Sequence, residues 1–239
     1  VTNVDKNSIE DHFNKNFELE ASLKLRKNKA PLKEIMALSK LNISIQSVRQ
    51  SEAKGLGHAI LCTKKLIGYE HFAVMLPDML IAKDNGNAGD SFQLMKTNFE
   101  ENETTSILLG KAKKADIPKY GIAQVKKNSK QPGLGFIEKI IEKPAIEKAP
   151  SNLYAAGRYI FNNDFFKYLS KVIPDKSHEI QLTDAIDLYI KDNKYVRGFS
   201  LDGKIFDCGD NAQLILANLD FAMKDPIMKS KIKNYFKKM

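Results

Sequence analysis

Two acidic turns follow apolar runs in this chain: Pro77-Asp78 after Phe72-Ala73-Val74-Met75-Leu76, and Asp207-Cys208-Gly209-Asp210 after Lys204-Ile205-Phe206. A carboxylate at the carboxyl end of a central strand stands where open α/β sheets bind their ligands. Two such carboxylates suit a magnesium ion, which takes one or two of them together with substrate phosphates in preference to an all-protein cage. A lone Asp after a strand serves as readily as a turn or helix cap. The second acidic turn is what points to one shared site, with Asp78 the first candidate ligand and Asp207 the second. Asp210 stands where the N-cap of the following helix belongs, and Cys208 reads as packing.

A second chemical signal is Lys54-Gly55-Leu56-Gly57-His58, a glycine-rich turn running into the apolar Ala59-Ile60-Leu61. The sixth position of a G-x-G-x-x-G fingerprint is Ile60, and no Gly-Lys-Ser/Thr follows, so neither the dinucleotide nor the P-loop pattern is met. Glycines here let backbone approach a base or a phosphate with a helix N-terminus behind them, and a plain tight turn fits the spacing equally well. Glu142-Lys143-Pro144 and Lys119-Tyr120-Gly121 are open in the same way. Either is ordinary turn chemistry, or Glu142 accepts from sugar hydroxyls, Lys143 neutralises a phosphate and Gly121 lets main chain pass close to a ring.

The remaining composition narrows the chemistry. His12, His58, His71 and His178 never fall at i, i+4 with a third ligand nearby, and Cys62 and Cys208 form no C-x-x-C, so a transition-metal or disulfide framework lacks support. A net charge of +9 invites anionic partners. Arginine, however, occurs only at positions 26, 49, 158 and 197, and the lysines are spread along the whole chain, which disfavours a dedicated nucleic-acid surface. No apolar run approaches the ~18 residues of a membrane helix and the opening residues lack signal-peptide features, so a soluble, cytoplasmic chain with no membrane partner is expected.

The elements that must carry these residues follow from hydrophobic periodicity. Ser8-Ile9-Glu10-Asp11 resembles a capping box and predicts a helix that sends Phe13, Phe17 and Leu19 toward a core, and a second helix starts at Pro31. Leu41 to Val48 alternates as a strand would, and 72–76 reads as a buried strand, so the glycine turn between them completes a β-loop-α-β unit. Further on, a helix is predicted over 91–98, strands over 104–109, 121–125, 135–141 and 155–161, and helices over 163–170, 180–191 and 213–223. The lysine-rich end, 224–239, is amphipathic at Ile227, Ile232, Tyr235 and Phe236, and is expected to pack on the body or on a partner subunit. Strands alternating with helices of this length imply an α/β sheet, mostly parallel.

In order along the chain, these signals resemble bacterial UTP:glucose-1-phosphate uridylyltransferases. The likeness rests on Ile9-Glu10-Asp11-His12-Phe13, Phe17-Glu18-Leu19-Glu20, Val48-Arg49-Gln50, Gly55-Leu56-Gly57-His58-Ala59, Leu76-Pro77-Asp78 and Lys119-Tyr120-Gly121-Ile122. It continues through Glu142-Lys143-Pro144, Ala149-Pro150-Ser151-Asn152, Gly157-Arg158-Tyr159, Glu179-Ile180-Gln181-Leu182-Thr183-Asp184-Ala185 and Asp207-Cys208-Gly209-Asp210. The family's opening segment, a G-x-G-T-R loop and a P-K-E-M lysine, has no counterpart in these residues. The resemblance therefore implies a Rossmann-like nucleotidyltransferase α/β fold, a mostly parallel mixed sheet flanked by helices and missing its first strand. It further implies a single domain over 1–239, with 224–239 a C-terminal helix available for oligomer contacts.

By the same resemblance the activity is magnesium-dependent transfer of UMP from UTP to glucose 1-phosphate, giving UDP-glucose and pyrophosphate, in a homo-oligomer. Gln50 and Gly55 then contact uracil, Gly121 and Glu142 the glucose, and Lys143 the sugar phosphate, while Asp78 and Asp207 hold Mg2+. Asp78 and Lys143 are the implied catalytic residues. Arg158 either assists or pairs with a carboxylate, and His58 is expected to be a structural hydrogen-bonder. A dTTP-using sugar-phosphate thymidylyltransferase and a non-catalytic UDP-sugar-binding remnant are the alternatives.

Overall fold

The computed structural model describes residues 1–2, 12–13, 17–26, 29–39, 43–83, 90–126 and 134–238. Helices α1 (Phe17–Leu25) and α2 (Lys29–Ser39) pack on each other. The chain then enters α3 (Gly55–Cys62), α4 (Lys64–Ile67), β1 (Phe72–Met75), β2 (Met79–Ala82), α5 (Asp90–Asn102) and β3 (Thr105–Lys111). A 3-10 turn over Lys114–Lys119 precedes β4 (Ile122–Lys126), β5 (Gly135–Ile141), β6 (Leu153–Phe161), α6 (Phe165–Leu169) and α7 (Leu182–Lys191). Next come β7 (Val196–Ser200), β8 (Lys204–Asp207), α8 (Asn211–Ala222) and α9 (Pro226–Phe236).

Six strands form one sheet in the order β1-β6-β3-β7-β5-β4, and β2 pairs with β8 in a separate ribbon. β3 lies inside the sheet because successive residues bury in opposite directions. Ile107 and Leu109 face a core with α3, α6 and α7, whereas Leu108 faces a second core with Met95 and Phe99 of α5. Phe161 at the end of β6 stacks on Phe165 with centroids 3.9 Å apart, and Phe72 of β1 stacks on Phe166 at 4.6 Å. This aromatic block packs β1, which runs toward Asp78, against β6 and α6.

The α/β class and the mixed sheet hold, but neighbouring strands are not mostly parallel. Among the described strands only β3 and β7 pair in parallel; β1, β4, β5 and β6 meet their neighbours antiparallel. Element lengths carry no information about which strands the crossovers bring side by side. The strand predicted over 41–48 also fails where it is described. Residues 43–48 form no ladder, Ile43 is 58% exposed, and Arg49 makes one isolated bridge to Thr2. Alternation stabilises a strand only when a core receives one face, and among the described residues Ile43 and Ile45 both stay exposed. The β-loop-α-β unit is therefore reduced to α3 and β1.

β1 is an edge strand in the described sheet, with Phe72 buried and Ala73 and Met75 exposed, so the run is not buried on both faces as its apolar content implied. Ser8 to Asp11 lie outside the described residues. Phe13, Phe17 and Leu19 do not reach a core; Phe17 is 75% exposed and α1 buries no residue. β2, β7 and the 3-10 turn are elements the periodicity did not reveal.

The first turn of α3 is held unusually close to the segment before α7. Gly57 donates its N–H to the carbonyl of Ile180 at 2.9 Å, and Ile180 donates to that of Lys54 at 2.9 Å. A Cβ on Gly57 would lie 2.6 Å from the Ile180 oxygen and 2.8 Å from its Cγ2. Gly57→Ala is expected to lose about 1–3 kcal/mol to overpacking, which thermal denaturation reads as a Tm lowered by roughly 2–10 °C. An unchanged Tm would contradict this close approach.

Candidate functional site

The turn Leu76-Pro77-Asp78 leaves the carboxyl end of β1, and β2 begins directly after it. β2 pairs antiparallel with β8 in a register that sets Met79 opposite Asp207, and Cys208 donates its N–H to the Asp78 carbonyl at 2.8 Å. Two acidic turns far apart in sequence thereby become neighbours. Gly209 stands between them: a Cβ there would lie 3.2 Å from Asp207 Oδ1 and 3.7 Å from Asp78 Oδ2. Both carboxylates thus lie beside Gly209, which donates its N–H to Asp207 Oδ1 at 3.2 Å. Asp210 is the N-cap of α8, accepting from Gln213 N–H at 3.0 Å, as expected of a structural residue.

Arg158, on β6, holds the Asp78 turn from below. Its Nη1 donates to the carbonyls of Leu76 at 2.9 Å and Gly157 at 3.0 Å, and its Nη2 donates to that of Met79 at 2.8 Å. The fork grips the peptide groups on both sides of Pro77-Asp78. Of the two expectations for Arg158, pairing with a carboxylate is not what is seen; its partners are carbonyls. Burial pushes the guanidinium below its usual range, and the nearby Asp78 carboxylate opposes that shift.

Tyr120 and Tyr154 stack with centroids 4.6 Å apart and wall the Asp207 side. Burial first, and then the charge of Asp207, pushes the Tyr120 phenol up to about 12, so it stays a neutral donor beside the carboxylate. Beyond Tyr120, Thr183 in the first turn of α7 donates its hydroxyl to Glu142 Oε2 at 3.1 Å. A Cβ on Gly121 would meet Thr183 Cγ2 at 2.6 Å and Glu142 Oε2 at 3.2 Å. Lys143 Nζ lies 3.8 Å from Glu142 Oε1 with its side chain 58% exposed, while its backbone N–H is fixed on the Tyr120 carbonyl at 3.0 Å. Burial raises Glu142 above the usual carboxylate range, opposed by the Thr183 hydrogen bond and by Lys143.

Another lining segment is the glycine turn. Gln50 Nε2 donates to the Gly55 carbonyl at 3.2 Å, and the following loop is tied down by Asp175. That carboxylate accepts from Ser177 N–H, Glu179 N–H and Gln181 Nε2 at 2.8, 3.0 and 2.9 Å. These bonds, led by Gln181, hold it below the usual carboxylate range.

Gly55, Asp78, Gly121, Glu142, Lys143 and Asp207 all line one cavity of about 420 Å³. Six of the seven sequence-derived candidates line this cavity, and Gln50 is joined to it only by its hydrogen bond to Gly55. Thr183, Tyr120 and the gripping role of Arg158 were not singled out. Thr183 was visible only as a hydroxyl residue beside Leu182 at a helix start, and nothing local tied it to Glu142, 41 positions away.

Two carboxylates facing one gap fit a hard, oxygen-loving cation that completes its shell with substrate phosphates and water. Among the described residues, no three His, Cys, Asp or Glu side chains gather into a cage. Lys143 and Lys119 add positive charge at the cavity rim. Such a pocket can hold a polyphosphate at one end and a hydroxyl-rich ring at the other.

The nucleotidyl transferase family matches residues 8–224. The chain belongs to the nucleotidyl transferase family. It is 37% identical to the UTP–glucose-1-phosphate uridylyltransferase of Haemophilus influenzae over 100% of this chain and 81% of that protein. Identity to the Escherichia coli K12 protein of the same name is 36%, over 94% of this chain and 74% of that one. Within the family, the chain therefore stands with the UTP–glucose-1-phosphate uridylyltransferases. A UTP-bound UGPase from Acinetobacter baumannii superposes with a TM-score of 0.85 at 32% identity, covering 99% of this chain and 80% of that one. A UDP-glucose pyrophosphorylase complexed with UDP-glucose superposes at 0.80 with 33% identity, covering 94% and 80%. The mixed sheet of this nucleotidyl transferase is thus shared with proteins solved around a uridine nucleotide.

Proposed function

We propose that this nucleotidyl transferase moves UMP from UTP to glucose 1-phosphate, forming UDP-glucose and releasing pyrophosphate. The observation that carries the reading is that Asp78 and Asp207 line one cavity together with Gly121, Glu142 and Lys143. The named relatives act on these substrates, and two solved neighbours hold UTP or UDP-glucose.

An oxygen of the sugar phosphate attacks the α-phosphorus in line, and the bond to the bridging oxygen of the β-phosphate breaks as pyrophosphate leaves. Such transfer asks the protein for alignment and charge neutralisation more than for acid-base groups. A magnesium ion bound between Asp78 and Asp207 would supply charge stabilisation to the reacting phosphates. Asp78 and Asp207 orient the phosphate end. Lys143 neutralises the sugar phosphate, Glu142 and the Gly121 backbone take the glucose hydroxyls, and Gln50 with Gly55 takes the uracil. Tyr120 presses on Asp207 and so preserves its direction.

The exposed apolar residues of α8 and α9, among them Ile215, Phe221, Ile227, Tyr235 and Phe236, support a homo-oligomer joined through the C-terminal helices. In this reading residues 1–239 belong to one nucleotidyltransferase domain, with 224–239 as the contact segment. No helix among the described residues is long and apolar enough to cross a membrane, which is compatible with work in the cytoplasm on soluble sugar nucleotides.

The test is pyrophosphate release by the purified protein with UTP, glucose 1-phosphate and Mg2+, with UDP-glucose identified as the product. Binding of UDP-glucose without turnover would contradict the transferase and favour a sugar-nucleotide-binding protein. Glu142→Gln gives a finer check. Because the folded-state Glu142 carboxyl is raised, its ionisation costs stability once pH climbs above the ordinary carboxylate value of 4.5. The Gln variant is therefore expected to keep or raise Tm at pH 7, with the difference vanishing below about pH 4. Its KM for glucose 1-phosphate should rise by roughly 10-fold, the loss of one charged hydrogen bond. A variant that loses stability at pH 7 would contradict the direction of the shift.

A further inference from the structure

His58 takes no part in the chemistry above, yet its ring contacts the residue assigned to the base. Gln50 Nε2 lies 2.9 Å from His58 Nδ1 and 3.2 Å from the Gly55 carbonyl oxygen. A carbonyl oxygen can only accept, so the nitrogen of the Gln50 amide must be the atom that faces Gly55. The same NH2 group then spends its second hydrogen on His58, which makes Nδ1 an acceptor and leaves the proton of the neutral imidazole on Nε2. The other neighbour of Nδ1 is the Cys62 thiol at 4.0 Å, one helical turn along α3 and a weak donor, which is consistent with an accepting nitrogen. Both Gln50 hydrogens are used, and Oε1 accepts no hydrogen bond among the described residues.

We infer that His58 is a positioning residue for nucleobase choice: its Nδ1 locks the Gln50 amide so that Oε1 is offered to the base, selecting a pyrimidine with an N3–H over one without it. The inference rests on the proposed contact between Gln50 and the nucleobase. Uracil carries a hydrogen on N3 and can donate to Oε1, whereas cytosine presents a lone pair there, so acceptor faces acceptor. Thymine shares the N3–H, and discrimination between UTP and dTTP must therefore come from elsewhere in the cavity. An amide free to turn about its last torsion would present its NH2 as readily as its oxygen. Rejecting the wrong base requires a fixed orientation, and the Gly55 carbonyl and His58 supply it from two directions.

Two measurements test this. In the protein with 15N-labelled histidine at pH 8, where imidazoles are generally neutral, His58 is expected to show an unprotonated Nδ1 and a protonated Nε2; a proton on Nδ1 overturns the inference. The second is the ratio of kcat/KM for UTP over CTP in the wild type, His58→Phe and Gln50→Leu. His58→Phe is expected to lower that ratio about 10-fold or more, and Gln50→Leu to lower it at least as far while raising KM for UTP. A ratio that falls in Gln50→Leu but not in His58→Phe overturns the positioning role alone. A ratio and a KM unchanged in Gln50→Leu remove the base contact itself, and the inference with it.

Discussion

Asp78→Asn is expected to lower kcat by about 10²–10³-fold, the usual loss when one preorganised charge contact to a reacting phosphate is removed. The substitution keeps the shape of the side chain and the turn that carries it, since the Asp78 carbonyl still accepts from Cys208 and Arg158 still grips the flanking carbonyls. What changes is one of the two negative charges that converge beside Gly209. KM for glucose 1-phosphate should move little, because the proposed sugar-phosphate contacts are made by Glu142, Lys143 and Gly121 rather than by Asp78. The Mg2+ concentration needed for half-maximal rate should rise. Steady-state pyrophosphate release across a Mg2+ titration measures all three. Turnover within a few-fold of wild type would remove Asp78 from the phosphate end of the site.

Arg158→Met is expected to give the second large effect, through structure and activity together. Three carbonyls, those of Leu76, Gly157 and Met79, lose a charged donor at once. Leaving such groups poorly paired costs on the order of 3 kcal/mol in total after relaxation and water entry, seen as a Tm roughly 10 °C lower. The turn bearing Asp78 would then be free to move against β6, so kcat should fall by about 10-fold or more even under conditions where the variant is fully folded. Arg158→Lys retains the charge but replaces a planar fork with a single point of donation, and cannot span carbonyls on both sides of the turn. It should recover part of the stability and little of the rate. Full activity in Arg158→Lys would mean that charge, rather than the fork, is what matters at this position.

The strands and the site differ in how much of each the chain discloses. β5 appears over Gly135–Ile141 as its periodicity predicts, and α8 begins at the cap expected of Asp210. β2 escaped notice because Met79-Leu80-Ile81-Ala82 follows the β1 run with only Pro77-Asp78 between them, and its partner β8 is distant in sequence. β7 is hidden by Arg197 and Gly198 at its centre. In the fold Arg197 is only 3% exposed and lies over the Phe136 ring at 4.9 Å, so a charge that reads as surface is in fact part of the sheet's interior. The alternation at 43–48 erred in the other sense, since a pattern without a core to receive it forms no ladder.

For the site, Asp78, Asp207, Glu142 and Lys143 were each open to ordinary turn chemistry, and what marked them as candidates was the pairing of two acidic turns and the order of the motifs along the chain. What could not be read was support. Thr183 bonds Glu142, Arg158 grips carbonyls and His58 meets Gln50 through contacts that only the folded chain creates. Hydroxyl, guanidinium and imidazole groups have many uses, and their spacing along the chain carries no mark of the one realised. The parallel bias expected of the sheet failed for the same reason, because strand order is a property of crossovers rather than of strands.

In the proposed function one divalent cation is held between the carboxylates of Asp78 and Asp207 and meets the phosphates of the nucleotide sugar. Anomalous scattering from crystals grown with UDP-glucose and Mn2+ tests it directly. The account predicts a manganese peak within coordinating distance of both carboxylates and of a diphosphate oxygen; UDP-glucose bound in the cavity with manganese absent from that gap, or held elsewhere, would contradict it.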